Sequence, residues 1–163
     1  MGGCGFEPVY ARHSSGAPGV AATELSAVSV DLIPDRPGQL LRQALQQRLE
    51  GSGSNAVRRY ALSVDYGISG EGIGVRQDTA VTRIRFTGHA GWTLRANDAS
   101  QTVMAHDTVR AVDGINILNE QYFAADLETE TVQRRMAETL ADQIVLQLAV
   151  FFRRRASQTA ASS

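Results

Sequence analysis

An α+β two-layer sandwich, with two helices packed on one face of a four-stranded, mostly antiparallel sheet, is the architecture this chain predicts. Three observations carry that expectation. Tyr60, Leu62, Val64, Tyr66 and Ile68 alternate with Ala61, Ser63, Asp65 and Gly67, and the alternation resumes at Ile84, Phe86, Trp92 and Leu94. A period of two marks strands with one buried face. Leu40, Leu41, Ala44, Leu45 and Leu49 form one stripe at spacings of three and four, and Met136, Leu140, Ile144, Val145, Leu148, Phe151 and Phe152 form a second; both are the signature of an amphipathic helix. The resulting order of strand, helix, three strands and long helix suits helices gathered on one side of a sheet.

In chain order, residues 1–24 read as a Gly-rich N-terminus followed by a tether, since 12–23 (RHSSGAPGVAAT) is built of small residues and Pro. Residues 25–33 alternate at Val28, Val30 and Leu32 and predict the first strand. Pro34, Asp35, Arg36, Pro37 and Gly38 stop it and open the first helix, with Pro37 in the first turn. Gly51, Ser52, Gly53 and Ser54 end that helix. The two central strands are joined by the Gly-rich stretch 69–78, a loop of roughly ten residues where hairpins need fewer. Residues 102–113 predict the fourth strand, with Val103, Ala105, Val109 and Ala111 on one face. The last helix is expected over 127–155, with Glu128 and Glu130 at its start and Arg153, Arg154 and Arg155 at its end, the polarity a helix dipole favours. The globular domain thus covers 25–155, and 156–163 is a polar tail, expected to be disordered.

Composition narrows the function. The 163 residues suit one domain. No run of 18 apolar residues occurs, so no helix is expected to span a membrane. The net charge of −1 gives no global steering toward polyanions, and nucleic acid is not an expected partner. Every one of the sixteen basic residues is Arg, the imprint of a GC-rich genome. The single cysteine, Cys4, excludes an internal disulfide and a Cys-based zinc site. Small residues directly before it resemble the end of a bacterial lipoprotein signal, in which Cys4 would carry the lipid, although no apolar signal segment stands before it in this chain.

Catalytic signatures are absent from the pattern. His13, His89 and His106 share no metal-binding spacing, and no cofactor motif is present. His106 stands next to Asp107, but neighbouring strand residues point to opposite faces. The glycines at 70, 72 and 74 follow one strand and lead into another, so no helix N-terminus is available to an anion. The chain reads as a protein without enzymatic activity. What stands out is arginine: Arg83 and Arg85 lie on the face opposite Ile84 and Phe86, and Arg76 sits in the loop. A sheet face without helices meets solvent or a partner, and guanidinium groups bind phosphate bidentately.

Three stretches together resemble the lipopolysaccharide-assembly lipoprotein family, the E component of the lipopolysaccharide transport system, in its α-proteobacterial form. They are the N-terminal run Cys4-Gly5-Phe6-Glu7-Pro8-Val9-Tyr10, the run of residues 72–83 (GIGVRQDTAVTR), and the helix at 136–149 (MAETLADQIVLQLA). The resemblance spans about residues 4–155. It implies a lipoprotein lipidated at Cys4 and anchored on the periplasmic side of the outer membrane. The domain would plug the large β-barrel of the lipopolysaccharide translocon, aid the assembly of that barrel, and bind lipopolysaccharide on its way to the cell surface. Basic residues in the hairpin loop and early in the last helix are tied to lipopolysaccharide binding in the family, and by position these are Arg76 and Arg134; Arg83 and Arg85 are the further candidates. Two other classes stay open: an auxiliary lipoprotein of another envelope lipid-transport (ABC) system, and a small hydrolase assembled around His106.

Overall fold

The computed structural model describes residues 19–50, 56–75, 81–116 and 122–161. Three helices and four strands follow one another as α1 (Val20–Ser26), β1 (Val28–Val30), α2 (Asp35–Leu49), β2 (Tyr60–Val75), β3 (Val81–Ala96), β4 (Val103–Asn116) and α3 (Tyr122–Ala161). The strands lie in the order β1-β2-β3-β4. β1 runs parallel to β2, and the other two pairings are antiparallel. The α+β class and the mostly antiparallel sheet are as expected, with a short third helix added.

Both periodicities are realised in the packing. Leu62, Val64, Phe86, Ala90, Trp92 and Leu94 are buried on one face of the sheet. Leu41, Ala44, Leu45 and Leu49 of α2, and Met136, Leu140, Ile144, Val145, Leu148 and Phe152 of α3, are buried in the same core. Close approach of α3 depends on Gly88: a Cβ there would stand 2.8 Å from Cε of Met136 and 3.4 Å from Cδ1 of Leu140. A missing side chain in the middle of β3 is therefore filled by the helix, which keeps the interior at the density of a close-packed solid.

Several boundaries differ from the sequence reading, α3 starting already at Tyr122 and β4 running on to Asn116 among them. Leu25, expected in the first strand, belongs to α1, where Ala21 and Leu25 are buried one turn apart. α1 therefore starts inside the stretch expected as tether, and β1 keeps only Val28–Val30. After β1 the chain leaves the sheet, Leu32 is 76% exposed, and Asp35 takes a φ of 64°, a left-handed conformation that Asp tolerates better than most residues. The stretch 69–78 is not a ten-residue loop: β2 continues to Val75, pairing Ser69 with Thr87, Gly70 with Phe86 and Glu71 with Arg85. Glycine is permissive of strand geometry, and the residues alternating with these glycines, Ser69 and Glu71, carry the bonds to β3. The last helix outlasts its apolar stripe, running through Ala161 across most of the polar tail expected at 156–163.

Arg58 ties the first elements together. One of its guanidinium nitrogens donates to the carbonyls of Ser26 and Val28 at 3.0 Å each, and the other reaches Glu50 at 3.0 Å. Cys4 and Arg76 lie outside the described residues, as do the glycines and serines of 51–54 and the residues of the N-terminus before position 19.

Candidate functional site

Cross-strand register sets the composition of the sheet face that carries no helix. Odd-numbered residues of β3 point away from the core, so Arg83, Arg85 and His89 are exposed there. The register places Arg85 between Glu71 of β2 and Gly114 of β4, Arg83 beside Gly74 and Asn116, and His89 between Gly67 and Arg110. A shallow depression of about 360 Å³ is lined by Ile73, Arg83, Arg85, Val112, Asp113 and Gly114. Its floor exists because position 114 has no side chain: a Cβ there would lie 3.0 Å from the carbonyl oxygen of Ile84 and 3.8 Å from Nε of Arg83.

Among the described residues the two arginines of this depression form no ion pair; the arginines joined to carboxylates there are Arg36, Arg48, Arg58, Arg59, Arg134 and Arg135. Asp113, the nearest acid on β4, accepts instead from Nε of Arg135 on α3 at 2.9 Å. Two exposed guanidinium groups two residues apart on one strand face form a surface suited to phosphate or carboxylate oxygens.

Arg134 stands elsewhere, on the outer surface of the helical layer. It lines a cleft of about 450 Å³ between α2 and α3 with Arg36, Gln39, Gln43, Gln47 and Glu138. Glu130 accepts from Arg36 at 2.9 Å and lies 4.0 Å from Arg134. Arg36 is a member of this group that sequence reasoning did not find, because 94 positions separate it from Glu130 and no local pattern links the two. The core and the sheet stand between Arg134 and the pair Arg83 and Arg85, so these three cations do not converge on one small anion. They lie on two separate surfaces, and on the helical side Glu130 and Glu138 stand beside Arg36 and Arg134.

His106 and Asp107 diverge in the register, opposite Thr93 and Trp92 respectively. Oδ1 of Asp107 accepts the backbone N–H of Thr108 at 2.7 Å. Among the described residues no cluster of three or more His, Cys, Asp or Glu side chains could hold a metal ion, and no helix is long and apolar enough to cross a membrane.

A protein-family model described as "LptE: Lipopolysaccharide-assembly" matches residues 25–148. Among solved structures, a candidate lipoprotein from Caulobacter crescentus CB15 superposes with a TM-score of 0.65 at 19% identity, covering 81% of this chain and 95% of that one. The rare lipoprotein B from Shewanella oneidensis gives a TM-score of 0.53 at 12% identity, covering 83% and 97%. A minor lipoprotein from Acinetobacter baumannii gives 0.54 at 18% identity, covering 76% and 90%. Comparison with curated proteins returns no significant match. At these identities the structural likeness establishes the fold.

Proposed function

The chain belongs to the LptE lipopolysaccharide-assembly family, and from that premise we propose that it is an outer-membrane lipoprotein that plugs the large β-barrel of the lipopolysaccharide translocon. It is anchored through Cys4 on the periplasmic side, aids the assembly of the barrel, and binds lipopolysaccharide during export. The observation that carries this reading is the family match over residues 25–148, which takes in all four strands and most of α3. A polar, arginine-bearing open sheet face supports it, because a plug in a wide barrel faces a wet, polar lumen.

In this reading the domain makes and breaks no bond and needs no cofactor. Arg83 and Arg85 offer a phosphate-binding surface on the open sheet face, Arg134 offers another on the helical side, and Arg76, in the sequence between β2 and β3, adds a fourth cation. Lipopolysaccharide presents phosphates on its lipid A head, so separated cations suit it better than net charge alone.

The test is co-expression with the lipopolysaccharide-transport barrel of the same host, followed by affinity capture of this chain and mass analysis of its N-terminal peptide. The barrel should be retained and Cys4 should carry an acyl modification. Failure to retain the barrel overturns the plug role. Retention of subunits of an ABC lipid transporter in its place favours the auxiliary-lipoprotein reading.

A further inference from the structure

Among the described residues both edges of the sheet are open, that of β4 along its length and that of β2 beyond Leu62. β1 covers only the beginning of β2, with Val28, Ser29 and Val30 in register with Tyr60, Ala61 and Leu62. The backbone N–H of Tyr60 donates to the carbonyl of Ala27 at 3.2 Å, and the N–H of Asp31 donates to the carbonyl of Leu62 at 3.0 Å. Within a strand the N–H and C=O of one residue point to the same side, and the side alternates along the chain. Since Tyr60 and Leu62 turn theirs toward β1, Val64, Tyr66, Ile68, Gly70 and Gly72 turn theirs outward. Ser63, Asp65, Gly67, Ser69 and Glu71 bond to β3. Among the described residues no strand lies beside the edge beyond Leu62.

An open edge normally carries a device that blocks pairing: a lysine, a proline, a bulge or a very short strand. Residues 63–72 contain neither lysine nor arginine nor proline. Their register with β3 is regular, the first shift falling between Gly72 and Gly74. The only charged side chains on this stretch are Asp65 and Glu71, both exposed on the open face. On the other face Tyr66 and Ile68 are only partly buried against the core. Leu32, 76% exposed, stands where β1 leaves the sheet.

We propose that the edge formed by residues 64–72 is a docking site for an extended strand of a partner protein, added beyond β2 by backbone hydrogen bonds. The occupant is a segment of the barrel, an identification that rests on the plug reading given above. Charge complementarity selects its character: hydroxyl or basic side chains face Asp65, which stands opposite Gly91 on β3, whereas Glu71 already stands opposite Arg85, and alternate apolar side chains cover Tyr66 and Ile68. A second copy of this chain is poorly suited, because its own edge would bring only further acidic groups to Asp65 and Glu71.

Hydrogen exchange, read residue by residue after quenching, tests the geometry in the free protein and in the complex co-purified with the barrel. In the free protein the amides of Tyr66, Ile68 and Gly70 should exchange quickly and those of Asp65, Gly67 and Ser69 slowly. In the complex the first three should slow by more than about tenfold, because their opening now requires the added strand to leave. Ile68→Pro, which removes an outward N–H and none of the bonds to β3, should reduce retention of the barrel well below that of Ile68→Ala, which loses the same packing against the core and keeps that N–H. If the complex forms and the amides of Tyr66, Ile68 and Gly70 stay fast, the docking site falls and the plug role stands. If no complex forms, both fall. Protection of those amides in the free protein overturns the proposal as well: at all concentrations it means this chain covers its own edge, and only at high concentration it means a second copy does.

Discussion

The indole Nε1–H of Trp92 on β3 donates to Oε1 of Gln147 on α3 at 2.7 Å. Trp92 is 3% exposed, and a buried indole N–H needs an acceptor. Gln147 lies outside the apolar stripe of α3, yet it is the residue that lets the largest side chain of the sheet enter the core. Gln147→Ala should therefore destabilise the domain by about 1–3 kcal/mol, the penalty for an orphaned buried donor. Leu140→Ala, at a fully buried position, should cost roughly 2–5 kcal/mol. Urea unfolding followed by Trp92 fluorescence measures both, and a Gln147→Ala variant as stable as the parent would show that water serves the indole equally well.

Gly88→Ala should destabilise by about 1–3 kcal/mol through overpacking, because the new methyl meets Cε of Met136 at 2.8 Å. Met136 is flexible, so the double variant Gly88→Ala, Met136→Ala should lose less than the sum of the two single changes. Strict additivity of the melting data would mean that the two positions do not share the same space.

The tyrosines set an alkaline limit. The hydroxyl of Tyr60 donates to Oε2 of Glu24 at 2.6 Å, and burial first, then that hydrogen bond, push its pKa up. Tyr66 has its hydroxyl buried without a hydrogen-bond partner among the described residues, and burial raises its pKa too. Both folded-state values lie above the ordinary value near 10, so the folded state holds these protons more tightly than the unfolded chain. Their contribution is complete below pH about 10 and is lost as pH rises through the folded values. Tyr66→Phe should flatten that decline and leave stability at pH 7 equal or raised by about 1 kcal/mol, since it removes an unsatisfied buried hydroxyl. Urea midpoints from pH 8 to 12 report the decline, and a large loss at pH 7 in the Phe variant would reveal a partner for that hydroxyl.

Charge reversal on the two arginine-bearing surfaces should separate binding from folding. Arg83→Glu with Arg85→Glu, and separately Arg134→Glu, should each weaken lipopolysaccharide binding with little change in melting temperature, because these side chains are exposed. A charged hydrogen bond to phosphate contributes roughly 1.5–3 kcal/mol, or about ten- to a hundredfold in affinity. Arg76→Glu should act in the same direction. Titration calorimetry measures each variant, with Arg12→Glu as the control for net charge. Equal weakening by the control would remove both surfaces as specific sites. Additive losses from the two faces would mark two independent contacts.

Much of the fold was legible because it rests on period and burial. The alternation from Tyr60 to Ile68 and from Ile84 to Leu94, and the stripes of α2 and α3, named the core faces correctly. A side chain's face follows directly from its spacing in a strand or helix. The boundaries were less legible. Glycines at 70, 72 and 74 read as a loop, because local propensity carries no information about a strand already in place across the ladder. Leu25 read as strand, because one apolar residue four positions after Ala21 is too little to reveal a two-turn helix held by α3.

The candidate site divides in the same way. By itself the sequence determined that Arg83 and Arg85 share the uncovered face, since both are odd-numbered on a strand whose even positions are apolar. It also supplied the run of residue types, from Cys4 to α3, that resembles one family. Only the tertiary structure decided that Arg134 belongs to a different surface, joined by Glu130 to Arg36, and that Gln147 serves Trp92. It also decided that β1 ends after three residues and, among the described residues, leaves most of the edge of β2 open. The reason is physical: face and period are local properties of the backbone, written every two or four residues. Which distant side chains meet, and which backbone groups are left without a neighbour, depend on how the elements pack, and that is settled by the whole core at once.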